Sequence, residues 1–405
     1  MRVSRAALLL VAFLVQSSFA EEPRWQAGAA SVKITPQRRL HMAGYAARKE
    51  PAEGVEQDLF AKALTLQDAQ GQRVVFVTLD LIGVFAELRK SVVGAVAERF
   101  DIPPRAVLLN ASHTHCGPAY NREDARDYME QLQRQLVDLI GESIEQLAPA
   151  QLTYSHARCS VAMNRRTPTD DGFVNHPNPN GPVDHAVPVL SVRSAEGELR
   201  SLVFGYACHN TTMGFRRWLG DYAGYAQEYI EQDFPGVTAL FMMGCGGDQN
   251  PYPRSELKFA KMHGRSLATA VGAALEVNQR KLRHQRPITG SLSAAFGTVD
   301  LPFATPDRPD FPYPVQVIRI GDQITLIALG TEVVVDYSLR LKRELTRAGG
   351  PAIWVAGYSN VYAGYIPSRR VLLEGGYEAR SRPWKPVLEE RIMEKAHALV
   401  KEVSK

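Results

Sequence analysis

Two histidines separated by one residue are the strongest chemical signal in the sequence. They are His113 and His115, in the pentapeptide at residues 112–116, which follows an apolar run at residues 106–109. This run predicts a buried strand. Side chains two residues apart point the same way where the backbone is extended, so the pair would present a metal ligand and a proton-transfer partner to one spot. Taken alone, the pair fits equally well two polar loop histidines that share no task.

Four further apolar runs also end in polar groups that can bind a metal or donate a proton. In open sheets ligands bind in the crevice outside the carboxyl ends of the strands, so five such ends that converge there would build one site. The four runs, each with the polar segment that follows it, are 202–207 with 208–210, Thr238–Met243 with 244–251, Ile324–Leu329 with 330–332, and 353–356 with 359–365.

The composition is that of an ordinary globular protein. The chain has 405 residues, of which 45% are apolar and 22% are charged. No linker, internal repeat or low-complexity segment marks a second domain. The net charge is +4, and the Lys and Arg residues are scattered without a basic tract, so we expect no nucleic-acid partner.

The first twenty residues predict a secretory signal peptide. Arg2 and Arg5 form a basic start, residues 6–15 are apolar, and Ala20 ends a small-residue cleavage motif. We therefore expect a mature chain that begins near Glu21 and is secreted or periplasmic. No later segment approaches the ~20 apolar residues that a transmembrane helix needs, so we expect a soluble protein without a membrane span.

Four cysteines leave two questions open. An oxidising compartment would allow disulfides in any of three full pairings. Three of the cysteines adjoin polar strand ends, so a thiolate metal site is an alternative, although zinc-thiolate sites usually contain close pairs such as Cys-x-x-Cys, which this sequence lacks. Cys208 is expected to be a small buried residue. The cysteines are Cys116, Cys159, Cys208 and Cys245.

Strand-like and helix-like stretches alternate irregularly, which predicts a mixed sheet. Runs at residues 315–320 and Ile324–Leu329 flank Gly321 and Asp322 and predict a hairpin. Residues 165–184, with their Pro, Asn, Gly and Asp, predict a long ordered loop that belongs to a site. The other predictions are a strand at 74–79 and helices at Ala86–Phe100, 126–146, 255–277 and 333–346.

Several motifs, in their order, resemble the neutral/alkaline non-lysosomal ceramidases and their bacterial relatives. They run from Ser-Val-Lys-Ile-Thr-Pro at residues 31–36 and Met-Ala-Gly-Tyr at 42–45 to Asn-Val-Tyr at 360–362, so the resemblance covers most of the mature chain. It implies an α/β fold with α+β character, in which layered mixed β-sheets are flanked by helices. It also implies one catalytic domain over residues 21–405, with one zinc ion per chain.

The resemblance also implies which residues form the site. His115, Arg165 and Tyr377 fall on the positions that orient and polarise the scissile amide. Zinc suits imidazole and carboxylate ligands and lowers the pKa of a bound water toward ~7, and Arg165 and Tyr377 would stabilise the oxyanion that forms when water attacks. His115 would move a proton or anchor substrate, unless it only orients the first histidine. The implied zinc ligands are His113, His209, Glu332 and Tyr365.

Two departures from the family limit what the resemblance implies. The turn that carries a serine in the ceramidases contains Gln249 here, followed by Asn250, and we assign both residues to substrate binding. Gln249 can donate a hydrogen bond but cannot act as a nucleophile. We also expect no immunoglobulin-like C-terminal domain, since the sequence ends at Lys405. Asp221 is a candidate to orient His209, because it follows that residue closely in the chain.

The expected function is that of an exported zinc hydrolase that cleaves an amide bond of an N-acyl, ceramide-like substrate by zinc-activated water, with a role in sphingolipid or other lipid metabolism. Two alternatives stay open. The same zinc site could hydrolyse an ester or a carbohydrate derivative, or the protein could be a non-catalytic relative that only binds a ligand. The exact substrate and the oligomeric state do not follow from the sequence.

Overall fold

Strands and helices alternate through residues 25–280 and 287–405, which are the residues that the computed structural model describes. The predicted signal peptide lies outside them. The strands are β1 (Trp25–Lys33), β2 (Gly54–Val55), β3 (Phe60–Asp68), β4 (Arg73–Leu79), β5 (Val107–Ala111), β6 (Ala148–Arg158), β7 (Ala162–Thr169), β8 (Gly172–Asn178), β9 (Ala186–Ser194), β10 (Leu199–Tyr206), β11 (Arg217–Trp218), β12 (Thr238–Met243), β13 (Gln249–Pro251), β14 (Leu292–Leu301), β15 (Phe311–Ile320), β16 (Ile324–Leu329), β17 (Glu332–Val333), β18 (Ala352–Ala356) and β19 (Tyr365–Ile366). The helices are α1 (Ala86–Phe100), α2 (Arg126–Glu145), α3 (Asp221–Asp233), α4 (Leu257–Arg280), α5 (Val335–Leu345), α6 (Arg369–Glu374), α7 (Gly376–Arg380) and α8 (Leu388–Val403).

The largest sheet has eight strands in the order β12-β10-β9-β6-β1-β3-β4-β5. Its outer pairs, β10 with β12 and β4 with β5, are parallel, and the pairs between them are antiparallel. The predicted mixed sheet is therefore confirmed. Strands such as β4 and β5 are buried along nearly their whole length, which is why they read as continuous apolar runs instead of alternating ones.

The two edges of this sheet meet, because the side chain of Asn110 joins them. Asn110, at the end of β5, accepts a hydrogen bond from Met243 N–H at the end of β12 (2.8 Å) and donates one to Met243 O (3.3 Å). It also donates to Gly357 O, just after β18 (2.7 Å). One buried amide thus holds the carboxyl ends of three strands together.

A second sheet has four strands in the order β14-β15-β16-β18. β15 and β16 form the predicted antiparallel hairpin, and β16 runs parallel to β18. The segments that follow these last two strands form a parallel ribbon of β17 and β19. The polar ends of β16 and β18 therefore come from a different sheet than those of β5, β10 and β12.

The prediction of a long loop at residues 165–184 is wrong. Most of this segment belongs to the antiparallel ribbon of β7 and β8, with β13 on the other side of β7. Thr169 pairs with Gly172, which leaves Asp170 and Asp171 as a two-residue turn. Pro168 is tolerated inside β7, since β13 pairs only with residues 162–164 and leaves no described strand beside Pro168 on the side away from β8.

The helices cover the sheets. α2 packs on β1 and β3, α4 packs on β6 and β9, and α8 packs on β14 and β15. The predicted helices are confirmed to within a few residues at their ends. Among the residues described, no helix is both long enough and apolar enough to cross a bilayer. The apolar residues of α2 recur every three or four positions and are buried; they are Tyr128, Met129, Leu132, Leu136, Leu139 and Ile140.

Candidate metal centre

The two histidines that follow β5 meet at their Nε2 atoms. His113 has a left-handed backbone, with φ 63°. Its N–H donates to Leu81 O (2.9 Å) and its Nδ1 donates to Ile82 O (2.6 Å). His115 Nε2 lies 3.1 Å from His113 Nε2. Both rings face one spot, as the sequence predicts. The cause differs from the prediction, because the backbone at His113 is left-handed and not extended.

His209 follows β10 and is oriented by the glycine-rich turn at residues 244–251. Its N–H donates to Gln249 O (3.0 Å) and its Nδ1 donates to Gly246 O (2.7 Å). A Cβ on Gly246 would lie 2.9 Å from the backbone nitrogen of Cys208. The turn therefore approaches His209 closely enough to orient it only because a glycine stands at this position.

Glu332 and Tyr365 are placed side by side by the β17–β19 ribbon, in which they are register partners. Glu332 Oε2 lies 3.2 Å from His113 Nε2 and 3.3 Å from His209 Nε2. Tyr365 OH lies 3.3 Å from His209 Nε2. All four side chains are buried. The four residues that the family resemblance implies as zinc ligands thus form one cluster.

Hydrogen-bond acceptors meet at the centre of this cluster. In a neutral imidazole one nitrogen donates a hydrogen bond and the other accepts one. Because Nδ1 of His113 and Nδ1 of His209 each donate to a carbonyl, we assign both Nε2 atoms as acceptors. Glu332 Oε2 therefore faces two nitrogen lone pairs, and this arrangement is repulsive unless a cation lies among the three atoms.

The pKa values lead to the same requirement. Burial raises the pKa of the Glu332 carboxyl, and positive charge on His113 and His209 outweighs burial and holds this pKa well below its usual range. Burial and the Arg165 guanidinium, however, lower the pKa of His209 to about 4. A His209 that is uncharged at neutral pH does not supply this charge, and a cation bound between His209 and Glu332 would take its place.

The donor set fits a metal ion. His113, His115 and His209 each offer a ligand nitrogen, and these atoms lie within 4.8 Å of one another. Imidazole nitrogens combined with a carboxylate oxygen are typical zinc ligands in catalytic sites. The carbonyls of Ile82 and Gly246 hold two of the rings in the tautomer whose free nitrogen faces the centre, as the outer partners of metal-binding histidines do.

His115 lies at the edge of the cluster. Its Nδ1 is buried and has no hydrogen-bond partner among the described residues. The ring packs edge-on against Tyr45, with 4.7 Å between ring centroids, and a Cβ on Gly44 would lie 2.4 Å from the ring. Burial, together with His113 and His209, lowers the pKa of His115 well below its usual value. His115 is therefore neutral at pH 7, with one nitrogen free to accept a proton.

Arg165 reaches the cluster from β7. Its Nη2 donates to Tyr365 OH (3.0 Å), and its Nη1 donates to Asn250 Oδ1 (3.2 Å) and lies 3.4 Å from His209 Nε2. Its Nε donates to Glu378 Oε1 (2.8 Å). The guanidinium is buried, so its charge acts through a medium of low polarity.

Tyr377, the third residue that the resemblance implies for catalysis, lies between the cluster and solvent. It belongs to the short helix α7 and is 54% exposed. Its ring centroid lies 5.4 Å from that of Tyr365 and 5.5 Å from the Arg165 guanidinium carbon. The Tyr377 ring can therefore meet a substrate that approaches the buried residues from outside.

The two residues assigned to substrate binding have different surroundings. Gln249 is fully buried, and its amide donates to Ala207 O (2.8 Å) and Cys245 O (3.1 Å) and accepts from Asp184 N–H (3.0 Å). It clamps three backbone segments beneath the site and has no free group for a substrate, which corrects the prediction. Asn250, in contrast, contacts Arg165 directly.

Asp221 and the four cysteines lie outside the group of side chains that could hold a metal. Asp221 accepts hydrogen bonds from Met213 N–H (2.9 Å) and Tyr222 N–H (2.7 Å) and does not contact His209, so the prediction that it orients His209 is wrong. Cys208 is a buried residue, as predicted. All four cysteines are free, and none belongs to the histidine group that could hold a metal.

Two side chains that the sequence analysis leaves unassigned contact the site. Tyr362 OH donates to Glu332 Oε1 (3.0 Å). Glu378 binds Arg165, and Tyr377 is its neighbour in the chain. Only their positions in the sequence could have indicated these residues: Tyr362 lies within the polar segment after β18, and Glu378 follows Tyr377.

The fold and the buried cluster define an α/β protein built around a candidate metal centre. The sequence profile described as "Neutral/alkaline non-lysosomal ceramidase, N-terminal" matches residues 25–243, which is more than half of the chain. The protein therefore belongs to this family.

Known relatives agree with this assignment. The chain is 27% identical over 279 residues to the neutral ceramidase of Pseudomonas aeruginosa, which covers 62% of this chain and 41% of the relative. It is 24% identical over 241 residues to neutral ceramidase A of Dictyostelium discoideum, which covers 54% of this chain and 34% of that relative. The chain thus matches less than half the length of these curated relatives.

A solved structure agrees in fold. The crystal structure of neutral ceramidase from Pseudomonas aeruginosa superposes with a TM-score of 0.80 at 20% sequence identity and covers 94% of this chain and 74% of that chain. This similarity confirms the predicted fold of layered mixed sheets flanked by helices.

Proposed function

We propose that this protein is an exported zinc-dependent hydrolase that cleaves the amide bond of an N-acyl, ceramide-like substrate. The observation that carries the proposal is the Glu332 carboxylate oxygen that faces the acceptor nitrogens of His113 and His209. Membership of the ceramidase family supports amide chemistry. We propose zinc as the metal, an N-acyl compound as the substrate, and export from the cytoplasm.

The proposed ligands are suited to a catalytic metal. His113, His209, Glu332 and Tyr365 would hold the ion. Zinc, when bound there, would act as a Lewis acid and lower the pKa of water toward ~7. The protein itself contributes orientation, because the His113 and His209 rings are each fixed by a backbone carbonyl and the four side chains are buried.

Three other side chains would act on the reacting amide. The Arg165 terminal nitrogens would donate hydrogen bonds to the carbonyl oxygen as negative charge develops on it, and the Tyr377 hydroxyl would donate from the solvent side. His115 presents its Nε2 to the cluster, 3.1 Å from His113 Nε2, so a proton would pass between water and the leaving nitrogen at this atom.

The proposal of export depends on the sequence alone. Arg2, Arg5 and the apolar residues 6–15 form the expected signal peptide. N-terminal sequencing of the protein recovered from the periplasm or the medium would test it, with a start near Glu21 expected. Recovery of a full-length chain from the cytoplasm would contradict it.

A substrate panel with metal control tests the catalytic proposal. Purified protein is assayed on ceramide, on N-acyl amino acids, and on esters and carbohydrate derivatives with similar acyl groups. We expect amide hydrolysis that a chelator abolishes and zinc restores. Hydrolysis of esters only would favour the alternative bond, and zinc binding without any turnover would identify a non-catalytic relative.

A further inference from the structure

One buried carboxylate, that of Glu378, joins two arginines at the back of the site. Arg165 Nε donates to Glu378 Oε1 at 2.8 Å, and Arg166 Nη1 donates to Glu378 Oε2 at 2.6 Å. Both arginines and the glutamate are at most 4% exposed. Removing one partner from such a buried network leaves an uncompensated charge, so the three side chains depend on one another.

The hydrogen bond between Arg165 Nε and Glu378 Oε1 leaves the two terminal nitrogens of Arg165 to interact with the site. A guanidinium has five donors in a planar fork. With Nε engaged by Glu378, the plane of the fork is fixed, and Nη1 and Nη2 are directed to Asn250 Oδ1 and Tyr365 OH. Without the carboxylate, rotation about the side-chain bonds would move both terminal nitrogens.

Glu378 is itself held in place from the outside. Arg166, which donates to the second oxygen of Glu378, also donates to Gly375 O (2.9 Å), immediately before α7. Gly375 and Gly376 have φ values of 72° and 83°, so the chain turns sharply into α7 at this point. The same short helix carries Tyr377, so the contact fixes both residues proposed to meet the carbonyl oxygen.

We infer that Glu378 is a positioning residue, which fixes the Arg165 guanidinium so that its terminal nitrogens stay beside His209 and Tyr365, where the reacting carbonyl oxygen would lie. This inference rests on the proposed function. The pKa of Glu378 is consistent with it, because Arg165 and Arg166 outweigh burial and keep this pKa below its usual value, so the residue is ionised.

Glu378→Gln tests the inference, with Glu374→Gln as a matched control. In Glu378→Gln the NH₂ group of the new amide would meet an N–H donor of Arg165 or Arg166. The Arg165 guanidinium would then no longer be held in one plane. Glu374 contacts Arg166 and Arg370 but not Arg165. We expect a ~10- to 100-fold lower kcat for Glu378→Gln, with unchanged KM and bound zinc, and wild-type kcat for Glu374→Gln. Equal effects of the two variants, or loss of zinc from Glu378→Gln, would overturn the inference.

A double mutant shows whether Glu378 acts through Arg165. If it does, Arg165→Ala with Glu378→Gln loses no more kcat than Arg165→Ala alone. Additive losses would overturn the inference. Should Glu378→Gln fail to fold, Glu378→Asp is used instead of it in both comparisons. This variant keeps the charge but withdraws the carboxylate by one methylene. A wild-type kcat for Glu378→Asp would then overturn the inference.

A spectroscopic readout separates this inference from the proposed function. In protein labelled with ¹⁵N-arginine, the Arg165 Nε–H resonance is assigned by its absence in Arg165→Ala. We expect it to shift and to exchange faster with solvent in Glu378→Gln but not in Glu374→Gln. If wild type hydrolyses nothing in the panel, the proposed function fails while this measurement still decides the contact, and an unchanged resonance in Glu378→Gln would overturn the inference.

Discussion

At the scale of single residues, the site is an arrangement of hydrogen-bond acceptors that need a cation. His113 and His209 direct Nε2 inward because backbone carbonyls take their Nδ1 hydrogens, and Glu332 brings a carboxylate oxygen to both. Because imidazole tautomer and carboxylate position are both fixed by neighbours, the cluster is preorganised for a metal. Three predictions belong to this scale.

The first concerns the proposed ligands. His113→Ala or His209→Ala should lose both bound zinc and activity, since each removes one of a small number of donors. Metal analysis of the purified variants measures this. His397→Ala is the matched control, because the partner of His397 among the described residues is Glu344, near the surface. Full retention of zinc in both ligand variants would show that the metal site is assigned wrongly.

The second concerns charge that develops during the reaction. Arg165→Ala and Tyr377→Phe should lower kcat ~10- to 1000-fold while bound zinc is unchanged, because hydrogen bonds to the oxyanion form fully only in the transition state. Arg193→Ala, near the end of β9, where the guanidinium is half-buried and donates to Gly197 O, serves as the control. Loss of zinc in a variant would place that residue among the ligands, and an unchanged rate would remove it from the mechanism.

The third concerns Tyr362. Its hydroxyl donates to Glu332 Oε1, and this contact holds the carboxylate with Oε2 toward the histidine nitrogens. Tyr362→Phe should weaken zinc binding ~10-fold or more, as loss of an outer partner of a metal ligand typically does, and saturating zinc should restore activity. Tyr128→Phe removes a comparable buried hydrogen bond, to Ile34 O, and should leave zinc affinity unchanged. Equal zinc affinity in both variants would contradict the role of Tyr362.

At the scale of elements, the carboxyl ends of strands from two sheets are joined by side-chain amides. Asn110 ties β5, β12 and the segment after β18, and Gln249 ties the end of β10 to the glycine-rich turn and to Asp184. These contacts explain how polar segments from different sheets can share one small volume. The amides pair backbone groups that the ladders leave open where the strands end.

Gln249→Ala tests this account. It leaves two carbonyls and one N–H buried without partners, so we expect the free energy of unfolding to fall by about 2 to 3 kcal/mol. Urea unfolding at fixed zinc concentration measures the change. Gln151→Ala is the control, because the Gln151 amide is exposed and reaches only Ala195 O. If the Gln249 variant is as stable as the control but loses activity, Gln249 binds substrate after all.

At the scale of the whole molecule, the proposed ion would link distant parts of the chain. Its ligands lie at residues 113, 209, 332 and 365 and follow strands of both sheets. An ion that binds only the folded state stabilises it, by about 2.7 kcal/mol at a free concentration 100 times its Kd. We therefore expect a chelator to lower the Tm of wild type and zinc to restore it. In His209→Ala the Tm should respond to neither, and an equal shift in that variant would contradict the link.

Local patterns in the chain were enough to predict most strands and helices and the types of the site residues. Apolar runs identified β12, β16 and α1 because burial on both faces, or on one helical stripe, requires them. The order of short motifs identified the family and, through it, the residues that lie in the cluster. These features depend on local composition or on inherited motifs, both of which are present in one chain before it folds.

Only the tertiary structure decided how those residues meet. β7 pairs with β8 and, at its start, with β13, a partner some 80 residues along the chain, whereas the Pro, Asn, Gly and Asp content alone suggested a loop. The orientation of His209 depends on Gly246 and not on the nearby Asp221. The Gln249 amide forms hydrogen bonds with three backbone groups. Such contacts join residues far apart in sequence, and their distances follow from how sheets pack, which no local pattern encodes.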